Sequence, residues 1–390
     1  MPIVNRIADL QPEIQAWRRD LHAHPELDYD LPRTSSFVAE RLREFGCDEV
    51  VTGLGKTGVV GVIRGNRTAS SRDAKVIGLR ADMDALPIEE ATDLSYVSKR
   101  QGVMHACGHD GHTAMLLGAA RYLADTRNFA GSAVMIFQPA EEYGAGAAAM
   151  LKDGLIERFG IDEVYGMHNA PGIPIGQFAT RAGPIMAATD GIHIRIEGRG
   201  GHPGSAHKCI DPILAGAQLV TALQQIVAHN VSPLVSAAIG ILAFQSGTGG
   251  SVIPQTAELR GTIRTLTPEV RQLILKRLSE VVSGTALSTG AHIDLTCQPG
   301  YPLTVNHEVQ TELAIRVANE VVGEDNVLET PPAMAAEDFG YMSAARPGAY
   351  VYCGNGDSAH CHHPAYDFND EAIVYGTSFW IKLVESALAA

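Results

Sequence analysis

Five short segments gather side chains able to hold a metal ion. They are Asp82 and Asp84 in RADMDALP, Cys107 and His109 in MHACGHDGHT, Glu141 and Glu142 in FQPAEE, His168 in GMHNAP, and His362 in HCHHPAYDFND. Thiolate, imidazole and carboxylate are the donors that divalent transition metals take. The densest segment packs His105, Cys107, His109, Asp110 and His112 together. Ligands two apart on a loop can face one side, and Gly108 between them permits the bend. A helix expected just after would point its first amides at Cys107 and favour the thiolate. Glu141 and Glu142 follow a strand-like run. On extended backbone neighbouring side chains point oppositely, so one carboxylate can ligate while the other faces a bound water. Metal-assisted hydrolysis needs that pairing of ligand and general base. Asp82 and Asp84 can ligate or orient a ligating histidine. The crowding of His360, Cys361, His362 and His363 before Pro364 marks at least one further ligand. Taken alone, the Glu141–Glu142 pair and His168 read more simply as structural, whereas the crowding around Cys107 and His109 and that before Pro364 each point to a metal by themselves.

Rival chemistries lack their signatures. There is no G-x-x-x-x-G-K-[ST], no G-x-S-x-G and no H-E-x-x-H, and GRGGHPG at 198–204 falls where no dinucleotide fold is expected.

Strand and helix patterns must carry these segments. Helices are predicted over 11–24 and 34–45, strands over 57–63, 75–80 and 131–137, and a helix over 113–126. That alternation implies an α/β layer with a largely parallel sheet, and 65–74 reads as a polar loop. Near residue 187 the grammar changes to period-two strands. Strands at 191–197, 236–244, 256–265 and 292–297 enclose helices at 212–229 and 268–288. This β-α-β-β-α-β order is ferredoxin-like. Helix (309–322) and apolar strand (348–353) then resume. The expected fold is a discontinuous α/β domain over 1–186 and 298–390, interrupted by an inserted α+β lid domain at 187–297.

The composition narrows the class. The 390 residues hold 30 Lys+Arg and 44 Asp+Glu, a formal charge of −14, which argues against nucleic-acid or anionic-membrane partners. The longest apolar run, 237–244, is strand-sized, and the N-terminus lacks a signal-peptide layout, so a cytoplasmic address is expected. The 6 cysteines are dispersed, unlike a disulfide framework.

Taken together, RRDLHAHPEL, GLRADMDALP, MHACGHDGHTAMLLGAA, FQPAEE, GMH, GRGGH, GTIRT, AEDFGYM and HHPAYDFND resemble one amidohydrolase branch. It includes hippurate hydrolases, N-acyl-amino-acid deacylases and auxin-conjugate hydrolases, within the aminoacylase/carboxypeptidase clan. The resemblance covers nearly the whole chain in order. It implies a metallohydrolase domain with an inserted lid and two divalent metal ions, zinc, manganese, cobalt or nickel. The implied ligands are Cys107, bridging as a thiolate, His109, Glu142, His168 and His362, the last chosen over His363 because the family ligand stands two before the proline. Glu141 is implied as general base, with Asp84 in the catalytic set. His202 is implied as the oxyanion donor, reaching a neighbouring subunit's site or acting through lid closure. Arg264, His207 and Ser251 are implied substrate contacts. Ser251 stands where the family usually has Asn, and Ala335-Ala336 where Gly-Ser is common. The implied activity is hydrolysis of N-acyl amino acids by a homo-oligomer, a dimer or a tetramer of dimers. The alternatives are a dipeptidase or exopeptidase of the same clan, or a non-catalytic metal-dependent binding protein.

Overall fold

The computed structural model describes residues 4–68 and 74–389; of the polar stretch expected at 65–74, residues 69–73 lie outside that range. In chain order the elements are α1 (Asn5–Ala23), α2 (Pro32–Glu44), β1 (Glu49–Leu54), β2 (Gly58–Arg64), β3 (Val76–Asp82), α3 (His109–Thr126), β4 (Ser132–Gln138), α4 (Gly146–Lys152), α5 (Leu155–Phe159), β5 (Glu163–Ala170), β6 (Phe178–Thr180), β7 (Gly183–Met186), β8 (Ala188–Glu197), α6 (Pro212–Asn230), β9 (Ala237–Ser246), β10 (Thr256–Thr265), α7 (Pro268–Thr289), β11 (His292–Pro299), β12 (Thr304–Asn306), α8 (Glu308–Val322), β13 (Val327–Glu329), α9 (Phe339–Ala345), β14 (Gly348–Gly354) and α10 (Ala372–Ala387). Two compact units emerge. The larger comprises Met1–Ile185, Val305–Pro331 and Asp338–Ala390, and the smaller Met186–Thr304 with Pro332–Glu337.

The larger unit is built on an eight-stranded sheet ordered β1-β2-β4-β3-β5-β14-β6-β13. Its middle is parallel, β4, β3, β5 and β14 running together, as the strand–helix alternation implies. The outer strands make the sheet mixed: β1–β2, β2–β4 and β14–β6 are antiparallel. The β1–β2 turn is too short for anything else, because parallel neighbours need a long crossover. Helices α1, α3 and α10 pack on one another. Ile14, Trp17, Leu116, Leu117, Phe379 and Trp380 share their core. Helix α1 starts earlier than the predicted 11, which brings Ile7 into register with the buried Ile14 two turns on. Strand β3 is buried from Ile77 to Asp82, as expected for a strand covered on both faces.

The smaller unit has the expected split order, β8-α6-β9-β10-α7-β11, with sheet order β11-β8-β10-β9 and every neighbour antiparallel. Strand β8 alternates: Ile192, Ile194 and Ile196 are buried with Leu219 and Leu223 of α6 and Leu278 of α7. Both helices begin with Pro at the first turn, where a missing N–H costs nothing. Side-chain caps complete them, Asp211 accepting from Ile213 N at 2.8 Å and Thr267 from Val270 N at 3.2 Å. By contacts this unit is wider than 187–297. Gly300 N donates to Thr189 O at 2.9 Å, and Ala187 N to Ala335 O at 2.8 Å, so the segment around 335 returns to it. Among the described residues no helix is long and apolar enough to cross a membrane.

Candidate active site

The five implied ligands in the larger unit come from four separate stretches of chain. Helix α3 begins at His109 rather than near 113, so His109 is its first helical residue and not part of a loop. Gly108 caps it with φ +91°. A Cβ there would also run into Asn169 Oδ1 and Tyr366 Oη, so the position needs glycine twice over. His109 Nδ1 donates to the Asp84 carbonyl at 2.8 Å, which leaves Nε2 as the lone-pair nitrogen. That Nε2 is buried without a hydrogen-bond partner. His168 lies within β5. Its Nδ1 donates to Asn169 O at 2.6 Å, and its Nε2 stands 3.4 Å from Cys107 Sγ. His362 is held at φ +67° with its N donating to Ala106 O at 2.7 Å.

Glu141 and Glu142 do not alternate on extended backbone as expected. Ala140 has φ +56° and the two glutamates open a turn. Their placement comes from Asp84 instead. Its buried carboxylate accepts from Glu141 N at 3.0 Å and from Glu142 N at 3.1 Å. Asp84, expected in the catalytic set, thus has one oxygen on each of the two backbone N–H groups. Glu142 Oε2 is 3.3 Å from His362 Nε2, while Oε1 is buried and without a hydrogen-bond partner.

These donors form overlapping groups. Cys107, His109 and His168 offer atoms within 4.8 Å of one another, as do Cys107, Glu142 and His362, and also His109, Glu141 and Glu142. Two of the three share Cys107. The orphaned His109 Nε2 and Glu142 Oε1, with thiol, imidazole and carboxylate donors converging, fit divalent cations.

A buried polar layer supports them, and most of it escapes sequence reading. His112 Nδ1 donates to Asp82 Oδ1 at 2.6 Å and its Nε2 accepts from Asn169 N at 2.9 Å. Asp82 thus serves as an orienting carboxylate. Arg80, fully buried in β3, donates to Asp82 at 2.7 Å, Gln138 at 2.9 Å and Asp338 at 2.9 Å. Asp338 also accepts from Gln138 and from Ala147 N. The one available signal was an arginine inside an apolar strand, which must be paired if buried.

Charge follows from this layout. Burial alone would raise Asp82, but His109, Arg80 and His112 hold it well below the usual carboxylate range. Asp84 is raised, by burial first. His109 is pushed well above the usual imidazole value because Asp82, Asp84 and Glu142 outweigh its burial. The carboxylates that draw a proton to His109 would equally draw a cation. Cys107 does not have the favoured thiolate expected from the helix amides. Its hydrogen bond with Cys361, its burial and the charge of Glu142 raise it well above the ordinary thiol value, and Cys361 is lowered to about 6 by the same bond. A cation would reverse that order.

His202, His207, Ser251 and Arg264 all lie in the smaller unit. His202 is exposed, capping the short 3-10 helix Pro203–Lys208 by accepting from Gly204 N at 3.1 Å. His207 and Ser251 are exposed as well. Arg264 Nη1 donates to Met334 O at 2.6 Å within the returning segment.

Residues 78–386 match the model of peptidase family M20/M25/M40. The chain belongs to this family. It is 41% identical over 384 residues to a hippurate hydrolase of Campylobacter jejuni, covering 98% of each chain. It is 39% identical to an N-acetyl-L-cysteine deacetylase of Bacillus subtilis, covering 98% of this chain and 89% of the relative. A solved Bacillus subtilis structure, described as a dinuclear metal binding peptidase from M20 family, is similar with a TM-score of 0.84. It shares 34% identity and covers 98% of this chain and 99% of its own. The resemblance to the amidohydrolase branch drawn from the motifs is thus borne out over nearly the full length.

Proposed function

We propose that this M20 amidohydrolase cleaves the amide bond of N-acyl amino acids, releasing a carboxylic acid and a free amino acid. The observation that carries it is the Asp84-anchored pair, Glu142 within the donor cluster and Glu141 beside it. The names of the hippurate hydrolase and N-acetyl-L-cysteine deacetylase relatives agree in reaction class. Cys107, His109, Glu142, His168 and His362 would hold two divalent cations, with Cys107 common to both groups. Bound there, the cations would supply Lewis acidity, acting on the amide carbonyl and on an attacking water.

Glu141 takes a proton from that water as its oxygen attacks the carbonyl carbon. To His202 we assign the hydrogen bond to the oxyanion that develops, the role that the family resemblance implies. Glu141 then passes the proton to the leaving amine nitrogen as the C–N bond breaks. Asp84 keeps Glu141 and Glu142 in register through both steps. To Arg264 we assign the substrate's carboxylate, and to His207 and Ser251 further substrate contacts, again as the family resemblance implies. A homo-oligomer would form through β9, the uncharged edge of the smaller sheet, which leaves Leu242 and Phe244 exposed. Six free cysteines suit a cytoplasmic site of action.

The test is amine release from N-acetyl, N-benzoyl and indole-acyl amino acids, against dipeptides, after loading with zinc, manganese, cobalt or nickel and after chelation. Metal-dependent turnover of the acyl amino acids is expected. Faster turnover of dipeptides would establish the peptidase alternative. Tight binding without release would leave only a binding protein.

A further inference from the structure

Cys361 takes no part in the reaction above, yet it lies against the sulfur on which the metal set turns. His362 N donates to Ala106 O at 2.7 Å, which lays the backbone at 361 alongside that at 107. Cys361 Sγ is 3.9 Å from the Cys107 carbonyl oxygen, and the two thiols are themselves hydrogen-bonded. Both cysteines are free. Cys361 is half-buried while Cys107 is buried, so an oxidant arriving from solvent meets Cys361 first.

We propose that Cys107 and Cys361 are a reversible disulfide pair, and that closing it withdraws Cys107 from the metal-holding set. The loss of metal rests on the reading of Cys107 as a ligand; the pairing itself rests on the contacts just given. With hydrogen peroxide as oxidant, the Cys361 sulfur attacks one peroxide oxygen, the O–O bond breaks, and a sulfenic acid and one water result. The Cys107 sulfur then attacks the Cys361 sulfur, the S–O bond breaks, and a second water leaves with the remaining thiol proton. Two thiols and one peroxide become one disulfide and two waters. Two electrons pass from sulfur to oxygen. A dithiol reductant returns both thiols by exchange.

The experiment uses zinc-loaded full-length protein, wild type and Cys361→Ser, treated with hydrogen peroxide and then with dithiothreitol plus zinc. Non-reducing peptide mass spectrometry, bound zinc after gel filtration, and amine release are read at each stage. Oxidised wild type should yield a peptide pair linked through Cys107 and Cys361, lose zinc and activity in the same proportion, and regain both. Cys361→Ser should start with full zinc content and turnover, and show no thiol-reversible loss. Absence of the linked peptide, its formation with zinc retained, or the same reversible loss in Cys361→Ser would overturn the proposal. If untreated wild type neither holds zinc nor turns over, the ligand reading fails and the switch with it; a missing linked peptide defeats the switch alone.

Discussion

Asp84→Asn tests the central structural claim, that one buried carboxylate sets the geometry of both glutamates. In the wild type its two oxygens each accept one backbone N–H, from Glu141 and Glu142. An amide offers only one oxygen, so one N–H would face an NH2 donor. A buried donor left without a partner costs about 1–3 kcal/mol. At roughly 1.4 kcal/mol per tenfold, that is a factor of about 5–150 in the population of the correctly formed turn. Loss of a group that orients a metal ligand typically weakens metal affinity by about 10–100-fold, which is the same range. Competition with a chelator of known affinity should therefore show zinc held about 10–100-fold more weakly in Asp84→Asn, with turnover depressed even at saturating zinc. Thermal melts establish that the fold survives. A folded variant with zinc affinity and turnover within about twofold of wild type would refute the argument.

Three further outcomes are expected. Glu141→Gln should keep its zinc content and melting curve while kcat falls by about 10²–10⁴; retained turnover would remove Glu141 as the base. His202→Ala should lower kcat by about 10²–10³ with zinc still bound, and unchanged turnover would dismiss the oxyanion role. His22 provides a pH test of stability at a residue outside the proposed ligand set. Burial alone would lower it, but its hydrogen bonds to Asp110 at 2.8 Å and Glu90 at 3.3 Å raise it from 6.5 to about 9. A raised histidine stabilises fully below its unfolded value and loses that contribution as pH rises through the folded one, here between about 6.5 and 9. At 1.36 kcal/mol per unit the contribution is about 3 kcal/mol. Urea midpoints of wild type should fall across that window while those of His22→Gln stay comparatively flat, and parallel curves would sink the assignment.

The proposed ligands were legible in the sequence because their signals are local: a Cys-Gly-His run, two adjacent glutamates, a crowded histidine cluster before a proline. The split α/β order of the smaller unit was legible for the same reason, since Ile192, Ile194 and Ile196 write their burial directly into the spacing. What joins distant residues was not. Asp84 and Glu141 are linked only once β3 and β4 lie side by side, and nothing in FQPAEE shows that its backbone turns rather than extends. Arg80 looked like one charged residue in an apolar strand; its partners Gln138 and Asp338 come from elsewhere in the chain. The start of α3 at His109 depends on Gly108 fitting against Asn169 and Tyr366, a packing fact with no local pattern.

The placing of β14 between β5 and β6 carries a consequence for biogenesis. Ribosomes deliver β5 and β6 long before β14, and the whole smaller unit is synthesised in the interval. Until residues 348–354 emerge, the central sheet has a vacant slot with two unsatisfied strand edges, and His362 has yet to be made. Such edges are templates for pairing with other chains. The nascent protein thus passes most of its synthesis unable to complete either its sheet or its donor set. Chains truncated before β14 should collect in aggregates rather than persist as partly active enzyme.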